Sequence, residues 1–339
     1  MSTALPRPEL PRPDLSRPDL SWPDGSRPHR AQPTEPRSTG AQAAAARPVD
    51  ARLDVGVVGA GRVGAVLAAA LARAGHRVVG VSAVSEASRA RAGALLPGVD
   101  VVPPDEVVRR AGLVLLAVPD DALGALVEGF AEAGLWRAGQ LLAHPSGRHG
   151  LAVLDPAVRR GVLPLALHPV LPFTGTTVDL VRMTGISFGV TAPEVLRPVA
   201  EVLVLEMGGE PVWVPEDRRA LWHAALAGSA NHLVTLVASA ADQLRAAGVD
   251  DPRAVLAPLL GAALDGALRS GDAALTGPVS RGDSETVQAH LTVLAQLAPD
   301  ALPSYVALAR LTADRALAAG RLDPDRAGPL LAALGSVSR

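Results

Sequence analysis

After its first fifty residues the chain alternates short aliphatic runs with amphipathic stretches, then turns helical almost to its end. Runs bounded by Gly, Pro or Asp and apolar at nearly every position read as strands covered on both faces, as in a parallel sheet. Residues 54–58, 77–81, 113–118, 140–143, 163–167, 186–190 and 211–214 fit, with a shorter candidate at 99–102 ahead of Pro103-Pro104. Helical stretches at 65–74, 105–110 and 194–207 separate them, and residues 173–177 read as a flexible loop. This alternation predicts an α/β domain, a mostly parallel doubly wound sheet over residues 51–215. From Glu216 to Ala247 there is no proline and one glycine, which predicts a helix of about 30 residues, roughly 45 Å long. Further helices at 252–268, 283–297 and 302–319 make residues 216–335 an all-α C-terminal domain.

Residues 1–50 stand apart. Leu5-Pro6-Arg7-Pro8-Glu9 opens a run of Pro-rich pentads that continues to Asp24. Frequent proline opposes helix, and too few apolar residues are present to bury a core, so a disordered tail of polyproline II character is expected. It reads as a solvated extension; docking to a proline-recognising partner is the alternative.

The most informative stretch is the first strand with the turn at its end: Gly59-Ala60-Gly61-Arg62-Val63-Gly64, opening a long Ala/Leu/Val helix. A strand that delivers GxGxxG into a helix N-terminus aims backbone N–H groups and the positive end of the helix dipole at a pyrophosphate. Gly59 permits the turn, Gly61 lets the ligand approach, and Gly64 lets helix and strand pack closely. A dinucleotide is therefore expected on Gly59, Ala60, Gly61, Arg62, Val63 and Gly64. At the end of the second strand, where NAD-selective folds carry an acid, stands Ser82, with Ser85, Ser88, Arg89 and Arg91 nearby. Hydroxyls and guanidinium suit a 2′-phosphate, so NADP(H) is expected through Ser82 and Arg89, with Glu86 keeping NAD(H) open. Val118 and Pro119, at the carboxyl end of the 113–118 run, are expected on the nicotinamide side.

Composition narrows the chemistry. The chain has no cysteine and no lysine, which removes disulfides, thiolate zinc sites, thiol nucleophiles and Schiff-base chemistry. Net charge is −2 with acids and bases interspersed, so neither a nucleic-acid patch nor a membrane-binding basic helix is expected, and no metal site is. No uninterrupted apolar run reaches the ~20 residues of a membrane span, and no signal-peptide pattern opens the chain. Cytoplasm is the expected compartment.

Two strands end in His-Pro: His144-Pro145-Ser146-Gly147 and His168-Pro169. Strand ends at the carboxyl edge are where ligands bind, and histidine donates protons near neutral pH. His168 and His144 are the expected catalytic imidazoles, with Ser146 beside the substrate. On the long helix Ala224, Gly228, Asn231 and Thr235 share a small, polar face. Asn231 is expected to touch substrate, with His223, Ser229 and His232 on adjacent faces. Arg281, in the loop 275–283, is expected to clamp a substrate carboxylate, or else to pair with a nearby acid.

Taken together, Gly59–Gly64, Ala117-Val118-Pro119-Asp120-Asp121, His144-Pro145-Ser146-Gly147, Leu167-His168-Pro169 followed by Phe173, and residues 275–283 resemble a known group. It comprises Rossmann-like oxidoreductases with a C-terminal helical domain of uncharacterised function. That group is similar to pyrroline-5-carboxylate reductases, 6-phosphogluconate-type dehydrogenases and ketopantoate reductases. Residues 225–229, Ala-Leu-Ala-Gly-Ser, look like the Ala-Leu-Ser-Gly-Ser stretch of pyrroline-5-carboxylate reductases, but Ala230-Asn231-His232 departs from their Gly-Pro-Ala. The catalytic lysine of familiar ketopantoate reductases has no counterpart. The resemblance implies an NADP(H)-dependent reductase of a small carboxylated substrate, with ketopantoate the specific expectation. An imine reductase is the alternative, and a catalytically silent NADP(H) sensor or scaffold a third reading. A homodimer is expected.

Overall fold

A computed structural model describes residues 52–336; the Pro-rich tail, with the disorder expected for it, lies outside the described residues. Two compact units are present, one ending at Thr235 and the other beginning at Leu236.

The first unit contains β1 (Asp54–Val58), α1 (Arg62–Arg73), β2 (Arg77–Ser82), α2 (Glu86–Leu95), α3 (Pro104–Arg110), β3 (Leu113–Leu116) and α4 (Asp120–Glu132). It continues with β4 (Leu141–His144), α5 (Asp155–Val158), β5 (Leu163–Pro169), α6 (Thr177–Arg182), β6 (Ser187–Thr191), α7 (Arg197–Glu206) and β7 (Glu210–Trp213). The strands form one sheet of order β2-β1-β3-β4-β5-β6-β7. Every neighbouring pair is parallel except β5 and β6. The expected strand at 99–102 shrinks to a bridge from Val101 to Val81 beside β2. Pro103 and Pro104 come at once after it, and proline has no N–H to extend a ladder.

Aliphatic side chains build a core on each face. Leu67 and Leu71 of α1 meet Leu203 of α7 and Met207 just after it over Leu113, Leu115 and Leu167. On the opposite face Val107, Leu123, Val127 and Leu154 cover Val114, Leu116 and Leu142. Removing one of these leucines to alanine costs about 2–5 kcal/mol. Residues 173–177, read from the sequence as a flexible loop, are gathered around Asp179, and α6 begins at their end. Asp179, completely buried, accepts the N–H groups of Thr174 (2.9 Å) and Gly175 (2.6 Å) and the Thr174 hydroxyl (2.9 Å). Burial pushes its carboxyl up, but the hydrogen bonds from Gly175, Thr174 and Thr176 together hold it below the ordinary carboxylate value.

α8 (Arg219–Ala246) is one uninterrupted helix, preceded by a 3-10 turn at Glu216–Arg218. An 18-residue stretch within Glu216–Ala246 has a mean hydropathy of 1.3, and the helix is long and apolar enough to cross a membrane by length and composition. Single-residue polar interruptions therefore hide from a search for unbroken runs a profile that an average reveals. The same profile suits a helix that packs on another apolar surface.

The second unit adds α9 (Pro252–Ser270), α10 (Pro278–Arg281), α11 (Ser284–Leu297), α12 (Leu302–Ala318) and α13 (Pro324–Gly335). Asp283 caps α11 through the Thr286 N–H at 3.1 Å, as its position before the helix predicts. α13 is absent from the helices expected of the sequence; Leu330 and Leu334 on it complete a core with Val287, Leu291, Val306 and Ala313.

Candidate active site

The glycine turn lies between β1 and α1. Gly59 has φ +98°, and a Cβ there would stand 2.6 Å from the Ala117 carbonyl oxygen. A Cβ on Gly64 would run into the Gly59 carbonyl oxygen. These two glycines thus serve turn and packing. Gly61 differs: its φ is −71°, and a Cβ would meet nothing within 4 Å. No side chain caps the N-terminus of α1, so no side chain takes up its leading N–H groups, and Gly61 leaves the approach on its side clear. That is the geometry an anionic pyrophosphate needs.

Ser82 does not reach that space. It is 4% exposed, and its hydroxyl oxygen accepts the Gly59 N–H at 3.0 Å, so it braces the turn from behind and cannot be the direct phosphate contact expected of it. Ser85 and Ser88 are likewise absorbed in capping α2. Arg89 is exposed, whereas Arg91 is the guanidinium drawn across the loop: its Nη1 donates to the Ala60 carbonyl at 3.5 Å. Gly175, at φ +80°, lies so close to Arg91 and to the Arg62 Cα that it has no room for a side chain. Val118 is half-buried and Pro119 exposed at the end of β3.

At the end of β5 stands His168. Its register partner on β6 is Gly189, and the Trp222 indole of α8 lies where a Cβ of Gly189 would be, 2.7 Å away. From there the indole N–H donates to His168 Nδ1 at 3.1 Å. With Nδ1 accepting, the neutral ring carries its proton on Nε2. Burial, then the Arg219 and His223 charges, lower the pKa of His168 to about 4, against a weaker opposing pull from Asp120. The ring is therefore neutral at pH 7 and offers an Nε2–H hydrogen bond. In this state the ring is a hydrogen-bond donor; the proton-donor role expected of it requires the imidazolium form. His223 stands edge-to-face with it, ring centroids 6.0 Å apart. Gly147 closes the cluster: a Cβ would lie 2.5 Å from His223 Cδ2 and 2.9 Å from His168 Nε2.

His144 is fully buried, with Nε2 on the Gly150 carbonyl (2.8 Å) and Nδ1 accepting the Ser146 N–H (3.2 Å). Burial lowers its pKa to about 4. It holds the 144–150 turn and presents no atom to a ligand, so the catalytic role expected for it is withdrawn. Ser146, 7% exposed, spends its hydroxyl on the His149 N–H and shapes the same turn instead of facing substrate. Glu216 ties the turn's far end to the start of α8 by accepting the N–H groups of Leu151 (2.7 Å) and Ala152 (3.1 Å).

Farther along α8, Asn231 is exposed and its amide returns to the Ala227 carbonyl at 2.8 Å; Ser229 does the same with Leu226 at 3.0 Å. Arg281, in the second unit, lines a groove of about 240 Å³ with Leu275, Thr276, Ser280, Gly320 and Arg321. Trp222, Arg219 and Gly147 join the site without having been expected there. A glycine inside β6 was the available signal, because such a glycine marks close approach by another group.

Residues 39–169 match the Rossmann-like domain family, and residues 186–312 match a domain of unknown function, DUF2520. Among solved structures, the fold is similar to a candidate NADP oxidoreductase of Bacteroides fragilis (TM-score 0.66, 22% identity, 78% of this chain and 98% of that one). It is also similar to a reductive aminase of Aspergillus terreus in complex with NADPH and ethyl-5-oxohexanoate (0.57, 19%, 82% and 98%). A third is a Plasmodium falciparum pyrroline carboxylate reductase with NADP bound (0.52, 12%, 79% and 97%). No curated protein sequence matches the chain.

Proposed function

From the match of residues 39–169 to a Rossmann-like domain and of residues 186–312 to DUF2520, we propose that this chain is an NADP(H)-dependent oxidoreductase. The reaction is reduction of the C=O of a small carboxylated substrate, a 2-oxo acid, with ketopantoate as the specific candidate. One observation carries the reading. The uncapped N-terminus of α1 beside an open Gly61, and the His168–Trp222–His223 cluster, belong to one unit at the carboxyl ends of β1 and β5.

When bound, NADPH would supply the hydride. The backbone of Gly59, Ala60, Gly61, Arg62 and Val63 holds the pyrophosphate, and Arg91 with Arg89 meets the adenosine 2′-phosphate. Val118 and Pro119 lie on the nicotinamide side. His168 Nε2–H holds the reacting oxygen of the substrate, and His223, half-buried and without a hydrogen bond among the described residues, exchanges the proton. Asn231 and Ser229 are the proposed partners of the substrate's polar groups, each tested by alanine substitution and its effect on KM.

Imine reduction is the second reading, favoured by the likeness to a pyrroline carboxylate reductase and a reductive aminase. We further propose a cytoplasmic homodimer: Leu221, Leu233 and Val234 of α8, and Leu259, Leu264 and Leu268 of α9, are all exposed and offer apolar surface to a second copy.

The test is titration with NADPH and NADH, then NADPH oxidation with ketopantoate and with pyrroline-5-carboxylate. Preferential NADPH binding with ketopantoate turnover supports the first reading; turnover of the imine alone transfers it to the second. Binding without turnover of either favours a silent sensor, and failure to bind either nucleotide overturns the whole assignment.

A further inference from the structure

Arg219, at the first position of α8, is the largest of the fully buried side chains, 1% exposed. Its Nη1 donates to the Gly189 carbonyl (3.2 Å) and the Thr191 hydroxyl (3.1 Å) on β6. Its Nη2 donates to the Ser146 carbonyl (2.7 Å) in the turn after β4. In the sheet β5 lies between β4 and β6, so the guanidinium spans the strand that ends in His168. No carboxylate accepts from it among the described residues, and its Nε is buried without an acceptor. A desolvated cation with an unused donor is costly, so a tie between strands alone is a poor account of it.

The neighbours on α8 supply a better one. Residues 219, 222 and 223 have the i, i+3, i+4 spacing of one helix face. Trp222 and His223 are the two side chains that meet the His168 ring. We propose that Arg219 is the positioning residue of this site: by pinning the first turn of α8 across β4, β5 and β6, it seats Trp222 on His168 Nδ1 and fixes the imidazole as the Nε2–H tautomer. The fork matters as much as the charge, because three acceptors on two separate segments are reached by one rigid plane. The charged and titratable groups facing His168 are Arg219 and His223 from α8, which oppose the imidazolium, and Asp120 from α4, which favours it. The inference deepens the reductase reading, and only its turnover arm rests on that reading.

The experiment is long-range 1H–15N NMR of the full chain without ligand, from pH 4 to pH 8, on wild type, Arg219→Met, Arg219→Lys and Trp222→Phe. Wild type shows a single His168 tautomer, protonated on Nε2. Arg219→Met mixes the tautomers and raises the His168 midpoint by about one pH unit or more. Arg219→Lys keeps the charge without the fork, so the tautomers mix while the midpoint stays low. Trp222→Phe mixes the tautomers with Arg219 intact. In turnover, Arg219→Met lowers kcat about tenfold or more at unchanged KM for NADPH. A folded Arg219→Met protein with the wild-type tautomer and midpoint overturns the proposal. If that variant does not fold, a pure wild-type tautomer in Arg219→Lys overturns it instead. The NMR readout needs neither nucleotide nor substrate, so absence of turnover defeats the reductase reading and leaves this result standing.

Discussion

The indole N–H of Trp222 donates to Nδ1 of His168 at 3.1 Å, with the two rings at 84°. A residue at a strand end and another on the first turns of α8 thus decide together which imidazole nitrogen bears the proton, and with it what His168 can do for a substrate.

Replacing His168 by Asn keeps an amide donor but moves it away from the Nε2 position. The expected result is a fall in kcat of about 10²–10³-fold with NADPH affinity unchanged, the scale of losing one well-placed donor to a developing oxyanion. Steady-state kinetics with fluorescence titration of NADPH checks this, and normal turnover with intact nucleotide binding would falsify the assignment.

The glycines of the α1 turn separate folding from ligand approach. Gly59→Ala imposes positive φ on a side chain and drives it into the Ala117 carbonyl, so unfolding free energy falls by about 1–3 kcal/mol. Gly61→Ala meets nothing; stability stays within about 0.5 kcal/mol, while NADPH affinity drops about tenfold or more because the added methyl occupies the approach. Urea denaturation and nucleotide titration of both variants distinguish the two effects.

Ser82 and Arg91 both contact the glycine turn, but Ser82 spends its hydroxyl oxygen on the Gly59 N–H while the Arg91 guanidinium reaches across to the Ala60 carbonyl. Arg91→Ala is expected to weaken NADPH about tenfold or more with little change for NADH, as loss of a charge-assisted phosphate contact requires, whereas Arg89→Ala acts more weakly. Equal losses for both nucleotides in Arg91→Ala would point to a pyrophosphate contact alone.

Acid should destabilise the fold through two rings. His144 and His168 have pKa values lowered to about 4, against about 6.5 in the unfolded chain. Between those values the unfolded state binds protons that the native state refuses, so stability is full above pH 6.5 and declines as pH falls toward 4. The expected loss is about 3 kcal/mol for the sealed His144 and less for the partly exposed His168. Urea midpoints at pH 7 and pH 4.5 measure it, and His144→Gln should flatten the difference.

The domain plan was readable because it depends on local pattern: aliphatic runs between glycines and prolines, then unbroken helix formers. The glycine turn was readable because its backbone geometry excludes other residues, as Gly59 and Gly64 demonstrate. α13 was not legible because its helical stretch is short, starts on Pro324 and has Pro329 inside it; its place is secured by packing Leu330 and Leu334.

For the site, the residues alone determined that histidines sit at strand ends of a nucleotide-type sheet and that neither lysine nor cysteine takes part. Which histidine is which was a tertiary matter. His144 and His168 share the same His-Pro context, yet one is closed inside its own turn and the other meets α8, because burial and partners come from strands and helices far apart in the chain. The same holds for Ser82, turned behind the glycine loop, and for Arg219 and Trp222, whose roles exist only because α8 lies across β6. Short-range pattern specifies secondary structure and backbone exceptions; desolvation, tautomer and charge depend on long-range neighbours.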